Sequence, residues 1–197
     1  MNTDREVSRH YSGGNLLSRL NAALAEDGID PDHPSMEALA PYDQFHGRGL
    51  EATTEVADLV GATASDHILD IGSGIGGPAR YFANRFGCRV TGVDLTPEFC
   101  DVAGHLTQLL DLEDRVTFEV GDALAMPFAD GSFDGAYSMN VSMNIADKSA
   151  FYREIHRSAS QAMANVSRGF SQARIIPIEV LARKPTQASP GAERDPA

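Results

Sequence analysis

A short apolar run, His67-Ile-Leu-Asp-Ile71, breaks into Gly72-Ser-Gly-Ile-Gly-Gly77 and continues at once as an amphipathic helix. No other stretch of the chain narrows its fold so far. Glycine is needed where the chain turns sharply and its backbone must approach a ligand closely. The same loop leads that ligand to a helix N-terminus, whose first N–H groups have no partners within the helix. A strand, a tight glycine turn and a helix are the first half of a strand–helix–strand unit.

The rest of the chain keeps that rhythm. Arg89 to Val93 reads as the second strand, Arg115 to Val120 as the third and Phe133 to Met139 as the fourth. The helix after the glycine loop carries Ala79, Phe82, Ala83 and Phe86 on one face and ends at Gly87. Pro97 opens the next, lined by Phe99, Ala103, Leu106 and Leu110. Asp147 is placed to cap a last helix through His156, buried through Phe151 and Ile155. Upstream, Leu16, Leu17, Leu20, Ala23 and Leu24 recur at helical spacing, and a second helix runs from about Glu51 to Val60. Between them, prolines at 31, 34 and 41 forbid a long helix. The fold expected is α/β, a Rossmann-like doubly wound and mostly parallel sheet with an N-terminal helical cap. Such sheets bind ligands at the carboxyl ends of their strands.

Three acids fall at those ends. Asp70 lies two residues before the first glycine, Asp94 ends strand two and Asp122 follows strand three. Gly72, Gly74 and Gly77 satisfy the dinucleotide pattern GxGxxG literally, and Asp94 could take ribose hydroxyls of a nicotinamide cofactor equally well. Asp70 argues against that reading, because a carboxylate there repels a pyrophosphate and suits an ammonium group. A carboxylate past strand three can accept from the exocyclic amine of adenine while the Ala123 N–H meets a ring nitrogen. Each acid alone could equally be a solvated loop residue; three at successive strand ends are harder to dismiss.

Composition excludes more than it assigns. A net charge of −12 opposes nucleic-acid binding, which needs a cationic surface. No apolar run approaches the ~20 residues that span a bilayer, and the start Met-Asn-Thr-Asp-Arg-Glu lacks the apolar core of a secretory signal. Cys88 and Cys100 read as reduced packing residues of a cytoplasmic protein. His10, His33, His67, His105 and His156 are scattered without ligand spacing, so no metal site is expected.

The ordered set of motifs resembles the class I S-adenosylmethionine-dependent methyltransferases. Ile68 through Ala83 resembles the family's first motif and Val93-Asp-Leu-Thr-Pro-Glu98 its second. Gly121-Asp-Ala123 through Met126-Pro-Phe128, with Ser132-Phe-Asp134, is similar to the third and fourth. Gly77-Pro-Ala-Arg80 and Val141 through Lys148 resemble the type 11-like small-molecule branch, which includes sarcosine, dimethylglycine, quinone and tocopherol methyltransferases. The resemblance implies S-adenosylmethionine as cofactor and a small-molecule methyl acceptor. It implies that Asp70, Gly72, Ser73, Gly74 and Gly76 hold the methionine end, and that Asp94 and Leu95 hold the ribose and flank the adenine. Asp122 and Ala123 would read the base, and Asn140 would lie near the sulfonium. Tyr42, Gln44 and His46 are the substrate-side candidates, His46 also the candidate base; they precede the fold in a segment that covers the cofactor in relatives.

After Arg157 the chain departs from the family. In relatives a turn and a fifth strand follow; here Ser158 through Asn165 supplies neither, and 165–185 resembles the final helix and strand of the branch. An internal deletion is the simplest account. The expected organisation is therefore a cap segment over 1–50, a cofactor-binding core over 51–157, a residual helix and strand over 158–184 and a disordered tail over 185–197. With strand five missing, the last strand, Arg174 to Ala182, should dock on strand four or pair with another chain, giving a homodimer through the sheet edge. Three readings compete: an active small-molecule methyltransferase, a cofactor-binding chain without turnover, and a nicotinamide-dependent oxidoreductase, which Asp70 and Asp122 disfavour.

Overall fold

The computed structural model of the chain describes residues 15–44 and 46–159, and the backbone of 178–183. Three helices come first: α1 (Leu16–Glu26), α2 (Met36–Asp43) and α3 (Gly49–Val60). The alternating part follows as β1 (His67–Ile71), α4 (Gly77–Phe86), β2 (Arg89–Asp94), α5 (Pro97–Leu109), β3 (Val116–Val120) and β4 (Gly135–Met139). A single 3-10 turn (Ser142–Asn144), α6 (Lys148–Ser158) and β5 (Ile178–Arg183) complete it.

The sheet order is β3-β2-β1-β4-β5, the first four strands parallel and β5 antiparallel to β4. The expected docking of the last strand on strand four is thus what the fold contains, with Tyr137 opposite Leu181 and a register shift between Ser138 and Met139. Strand order reverses between β1 and β2 on one side and β4 on the other, the place where α/β sheets bind ligands.

Residue parity sorts the strands onto two cores. Ile68, Val90, Val116, Tyr137 and Met139 face α3 and α4, where Val56, Phe82 and Ala83 fill the layer. Leu69, Ile71, Val93 and Ala136 face the opposite side against Phe151 and Ile155 of α6. A third cluster seats the cap: Leu20, Leu24 and Leu39 of α1 and α2 pack on Ile75, Val102 and Leu106.

Helix ends follow local chemistry. Asp147 Oδ1 accepts from the Ala150 amide at 2.8 Å and so caps α6 as its sequence position predicts. The prolines leave room for a short helix, the eight-residue α2. Ser35 Oγ caps it through the Ala38 amide, and Pro41 sits in its last turn. The carbonyl that Pro41 cannot satisfy belongs to Glu37, and both residues are exposed, so water can serve it. Strands three and four start later than expected, at Val116 and Gly135. The Arg115 amide closes a turn onto Leu112, and the Phe133 amide bonds to Ser158 at the end of α6 instead of to a strand.

Candidate functional site

The four parallel strands end along one edge, and the predicted cofactor residues lie on it. Asp70 is the penultimate residue of β1, Asp94 the last of β2, Asp122 the second after β3, and Asn140 follows β4 directly. The glycine loop is bound to β2: the Gly72 and Ser73 amides both donate to the Val93 carbonyl, at 2.8 and 3.1 Å. Gly72 has φ +75°, and a Cβ there would lie 2.1 Å from Val141 Cγ2. The loop after β1 therefore packs directly on the loop after β4. Asn140, itself left-handed at φ 59°, makes that turn.

Asp94 organises the loop as well as facing it. Its Oδ2 accepts from the Gly74 amide and its Oδ1 from the Thr96 amide, both at 2.9 Å. Burial pushes its carboxyl above the ordinary range while these amides oppose the shift. An ionised carboxylate has lone pairs beyond the two in use, so two hydroxyls can still bind it. Half-buried Leu95 follows it. Asp122 is half-buried and accepts locally from the Leu124 amide at 2.8 Å. Ala123 packs partly against the α6-side core.

Asp70 is the most perturbed acid of the edge. It is 2% exposed, Oδ2 has no hydrogen-bond partner among the described residues, and burial pushes its carboxyl up to about 7. Ser73 is likewise buried with its Oγ unpartnered. Buried polar atoms without partners are few in folded proteins, so two beside a glycine loop mark a place built to receive polar groups.

The cap supplies the facing wall. A Cβ on Gly77 would fall 2.4 Å from the Asp43 carbonyl oxygen and 2.6 Å from Gln44 Nε2, so the end of α2 rests against the start of α4. Asp43 and Arg80, 4% and 1% exposed, form an ion pair at 2.8 Å that fixes this contact. Thr53 of α3 donates to Gln44 Oε1 at 2.5 Å and lies 3.0 Å from His46 Nε2. The His46 Nδ1 lies 3.4 Å from the Gly47 carbonyl oxygen, so both ring nitrogens have neighbours within the cap. Burial holds the His46 imidazole below its ordinary pKa. Gln44 and His46 thus meet on Thr53. Tyr42 points elsewhere: its hydroxyl bonds to Asp27 at the end of α1.

Several contributors were not visible in the sequence reading: the Asp43–Arg80 pair, Tyr137 beside Asp70, and Ser138, whose Oγ bonds to the Ile71 carbonyl at 2.9 Å. The branch-like Gly77-Pro-Ala-Arg80 was the one available signal for Arg80. Among the histidines, His67 bonds to Thr91 and meets the Phe133 ring at a tilted 59° at the opposite end of the strands, and His10 lies outside the described residues. The described residues hold no cluster of metal-ligating side chains. A cavity of about 250 Å³ between the starts of α1 and α5, lined by Leu16, Leu17, Glu98, Asp101 and Val102 among others, contains none of the strand-end residues.

Comparison with known proteins agrees with this geometry. Residues 69–162 match the family described as a methyltransferase domain. A methyltransferase of Streptomyces halstedii, GfsG, is 31% identical over 157 residues, covering 78% of this chain and 53% of that protein. The chloroplastic tocopherol O-methyltransferase of Arabidopsis thaliana is 39% identical over 134 residues, 66% of this chain and 38% of that protein. Geranyl diphosphate C-methyltransferase from Streptomyces coelicolor, solved with Mg2+, geranyl diphosphate and S-adenosyl-L-homocysteine, superposes with a TM-score of 0.55 at 26% identity, over 57% of this chain and 42% of that one. The fold is that of the class I S-adenosylmethionine-dependent methyltransferases. The chain spans about half of GfsG and less of the other two.

Proposed function

We propose that this chain, with a methyltransferase domain over residues 69–162, binds S-adenosylmethionine and transfers its methyl group to a small molecule. The observation that carries the reading is the edge itself: three acids at three successive strand ends around a glycine loop, with Asp70 Oδ2 and Ser73 Oγ buried and unpartnered. Both orphaned oxygens can accept from the ammonium end of an amino-acid moiety, and the Asp70 carboxylate opposes a pyrophosphate, so the nicotinamide reading loses its footing.

In this reading Asp70 and Ser73, with the Gly72–Gly76 backbone, hold the methionine end. Asp94 accepts from the ribose hydroxyls and Leu95 covers the adenine. Asp122 accepts from the adenine amine as Ala123 donates to the ring, and Asn140 stands nearest the reacting centre. The cofactor brings a methyl group already activated by its positive sulfur. The protein's task is alignment, holding acceptor and methyl donor in line. Gln44 and His46 face the acceptor, and burial keeps the His46 imidazole neutral, as the candidate base must be. No helix among the described residues is long and apolar enough to cross a membrane. Both cysteines are buried and unpaired, which supports placing the chain in the cytoplasm. Two copies pairing through the sheet would use the outer edge of β5 or β3, since β4 is paired on both sides.

One observation favours a second reading, binding without turnover: β5 pairs directly with β4, while the chain matches only 53% of GfsG and 38% of the tocopherol enzyme. Calorimetric titration with S-adenosylhomocysteine, then transfer of a labelled methyl group to a panel of amines, phenols and quinols, separates the two. Binding with transfer supports the enzyme and binding alone supports the second reading. Binding of NAD with no response to S-adenosylhomocysteine refutes both.

A further inference from the structure

Tyr137 carries a hydroxyl that packing does not explain. The residue is wholly buried on β4 with its ring stacked on Phe82 at a centroid distance of 4.4 Å, a contact that phenylalanine would make equally well. Its hydroxyl is buried and has no hydrogen-bond partner among the described residues. The register shows what it lies beside. Asp70 has Gly92 of β2 on one side and Tyr137 of β4 on the other. Residues in register on parallel strands point to the same face of the sheet. Gly92 leaves its place in that row empty, and Phe118 and Ser73 fill it: a Cβ on Gly92 would come 2.6 Å from Phe118 Cδ1 and 2.7 Å from Ser73 Oγ. Hydroxyl, carboxyl and phenol therefore form one buried strip, and each carries an unpartnered oxygen.

We infer that Tyr137 is a positioning residue of the cofactor site, its hydroxyl sustaining the charge on Asp70 that the ammonium of the methionine end requires. The inference rests on the cofactor reading above. Burial drives Asp70 towards its neutral form, Asp94 at the end of β2 adds to this, and Tyr137 is the group that works against it. Burial and Asp70 together hold the phenol well above its ordinary pKa, so it keeps its proton beside the in-register Asp70 carboxyl, each with an oxygen left open for the other. The other ionisable groups on this side do not compete. Cys88 is neutral, its thiol pushed up by burial; Arg80 of α4 is engaged by Asp43; His46 of the cap responds to Asp43 as well. Ser73 supplies the third oxygen and no charge.

Tyr137→Phe in the full chain tests this, because it removes the donor and keeps the ring. Carbon-detected NMR of the carboxyl groups, with the Asp70 signal assigned by its loss in Asp70→Asn, should show the Asp70 titration moving upward by about one pH unit. The pH at which affinity for S-adenosylhomocysteine rises should move by the same amount, with thermal stability held or improved. A role in packing alone would leave the Asp70 titration unmoved, and that result overturns the inference even if affinity fell. If neither protein binds S-adenosylhomocysteine while the Asp70 shift is intact, the cofactor reading fails and takes with it any role for Tyr137 in holding a cofactor.

Discussion

Replacing Asp43 with alanine strands the Arg80 guanidinium, 1% exposed, inside the protein without its carboxylate. The contacts left to Arg80 are weak: the Ala103 carbonyl and Thr107 hydroxyl are each 3.3 Å away, and Nε has no partner among the described residues. Removing one member of a buried pair costs about 3–5 kcal/mol, because an uncompensated charge stays behind. That is a large share of the roughly 5–15 kcal/mol that stabilises a domain. In melting temperature it amounts to a fall of about 6–20 °C for a chain of this size. Removing both charges should behave differently. Burial raises the Asp43 carboxyl and lowers Arg80, in each case outweighing their attraction, so desolvation takes back most of what the pair gains. Asp43→Leu with Arg80→Met should therefore recover most of the loss seen in Asp43→Ala. Urea denaturation of the single and double variants measures the coupling. A loss below about 1 kcal/mol for Asp43→Ala, or a double variant as unstable as the summed singles, would refute the reasoning.

Asp70 makes stability depend on pH in the sense opposite to an ordinary salt-bridged acid. Its folded pKa of about 7 lies above the ordinary 3.8, so its contribution is complete below about pH 4 and is lost as pH rises through 7. Asp70→Asn should then be more stable than the parent at pH 8, by up to about 4 kcal/mol, with no such gain at pH 4; equal urea midpoints for the two proteins at pH 8 would count against burial as the cause. Asp122→Ala should melt within a few degrees of the parent, since the carboxylate is half-buried and bonds only locally among the described contacts, yet bind S-adenosylhomocysteine at least about tenfold more weakly; unchanged affinity in calorimetry would make Asp122 structural. The amides of β5 that enter the ladder with β4 around Val180 and Leu181 should exchange with solvent far more slowly than in an unstructured peptide, and peptide-like rates would show the strand undocked.

How much of this was legible beforehand depends on how local the cause is. The β1 strand and the helices on either side of β2 could be read from periodicity and glycines because their causes lie within a few residues. The strand-end acids were legible for the same reason, each sitting in a short motif. Strand starts were harder: the Phe133 amide is claimed by Ser158 and the Asp134 amide by His67, contacts remote in sequence. The helix at Met36–Asp43 was missed because proline was weighed as a breaker without knowing that Glu37 and Pro41 would face water. The burial of Arg80, which its motif did not reveal, was hidden for a deeper reason. An arginine on a helix is read as a surface residue, and the Asp43 that makes its burial tolerable lies 37 positions earlier.

The two halves of the site therefore rest on different kinds of support. The proposed cofactor edge is held by the sheet itself: Val93 binds the glycine loop, Asp94 binds its third residue, and Val141 closes against Gly72. Val93 and Asp94 are fixed in the strand ladders, so the loop they bind should persist whatever the cap does. The Gln44–His46 wall has no strand beneath it. It reaches the site through Thr53 and through one buried ion pair on the glycine-loop helix. Loosening that pair should detach acceptor recognition from cofactor binding, so that under conditions where Asp43→Ala remains folded it keeps most of its affinity for S-adenosylhomocysteine and loses methyl transfer. Equal losses of both would mean that the cap holds the cofactor as well, and that the division between edge and wall drawn from these contacts is wrong.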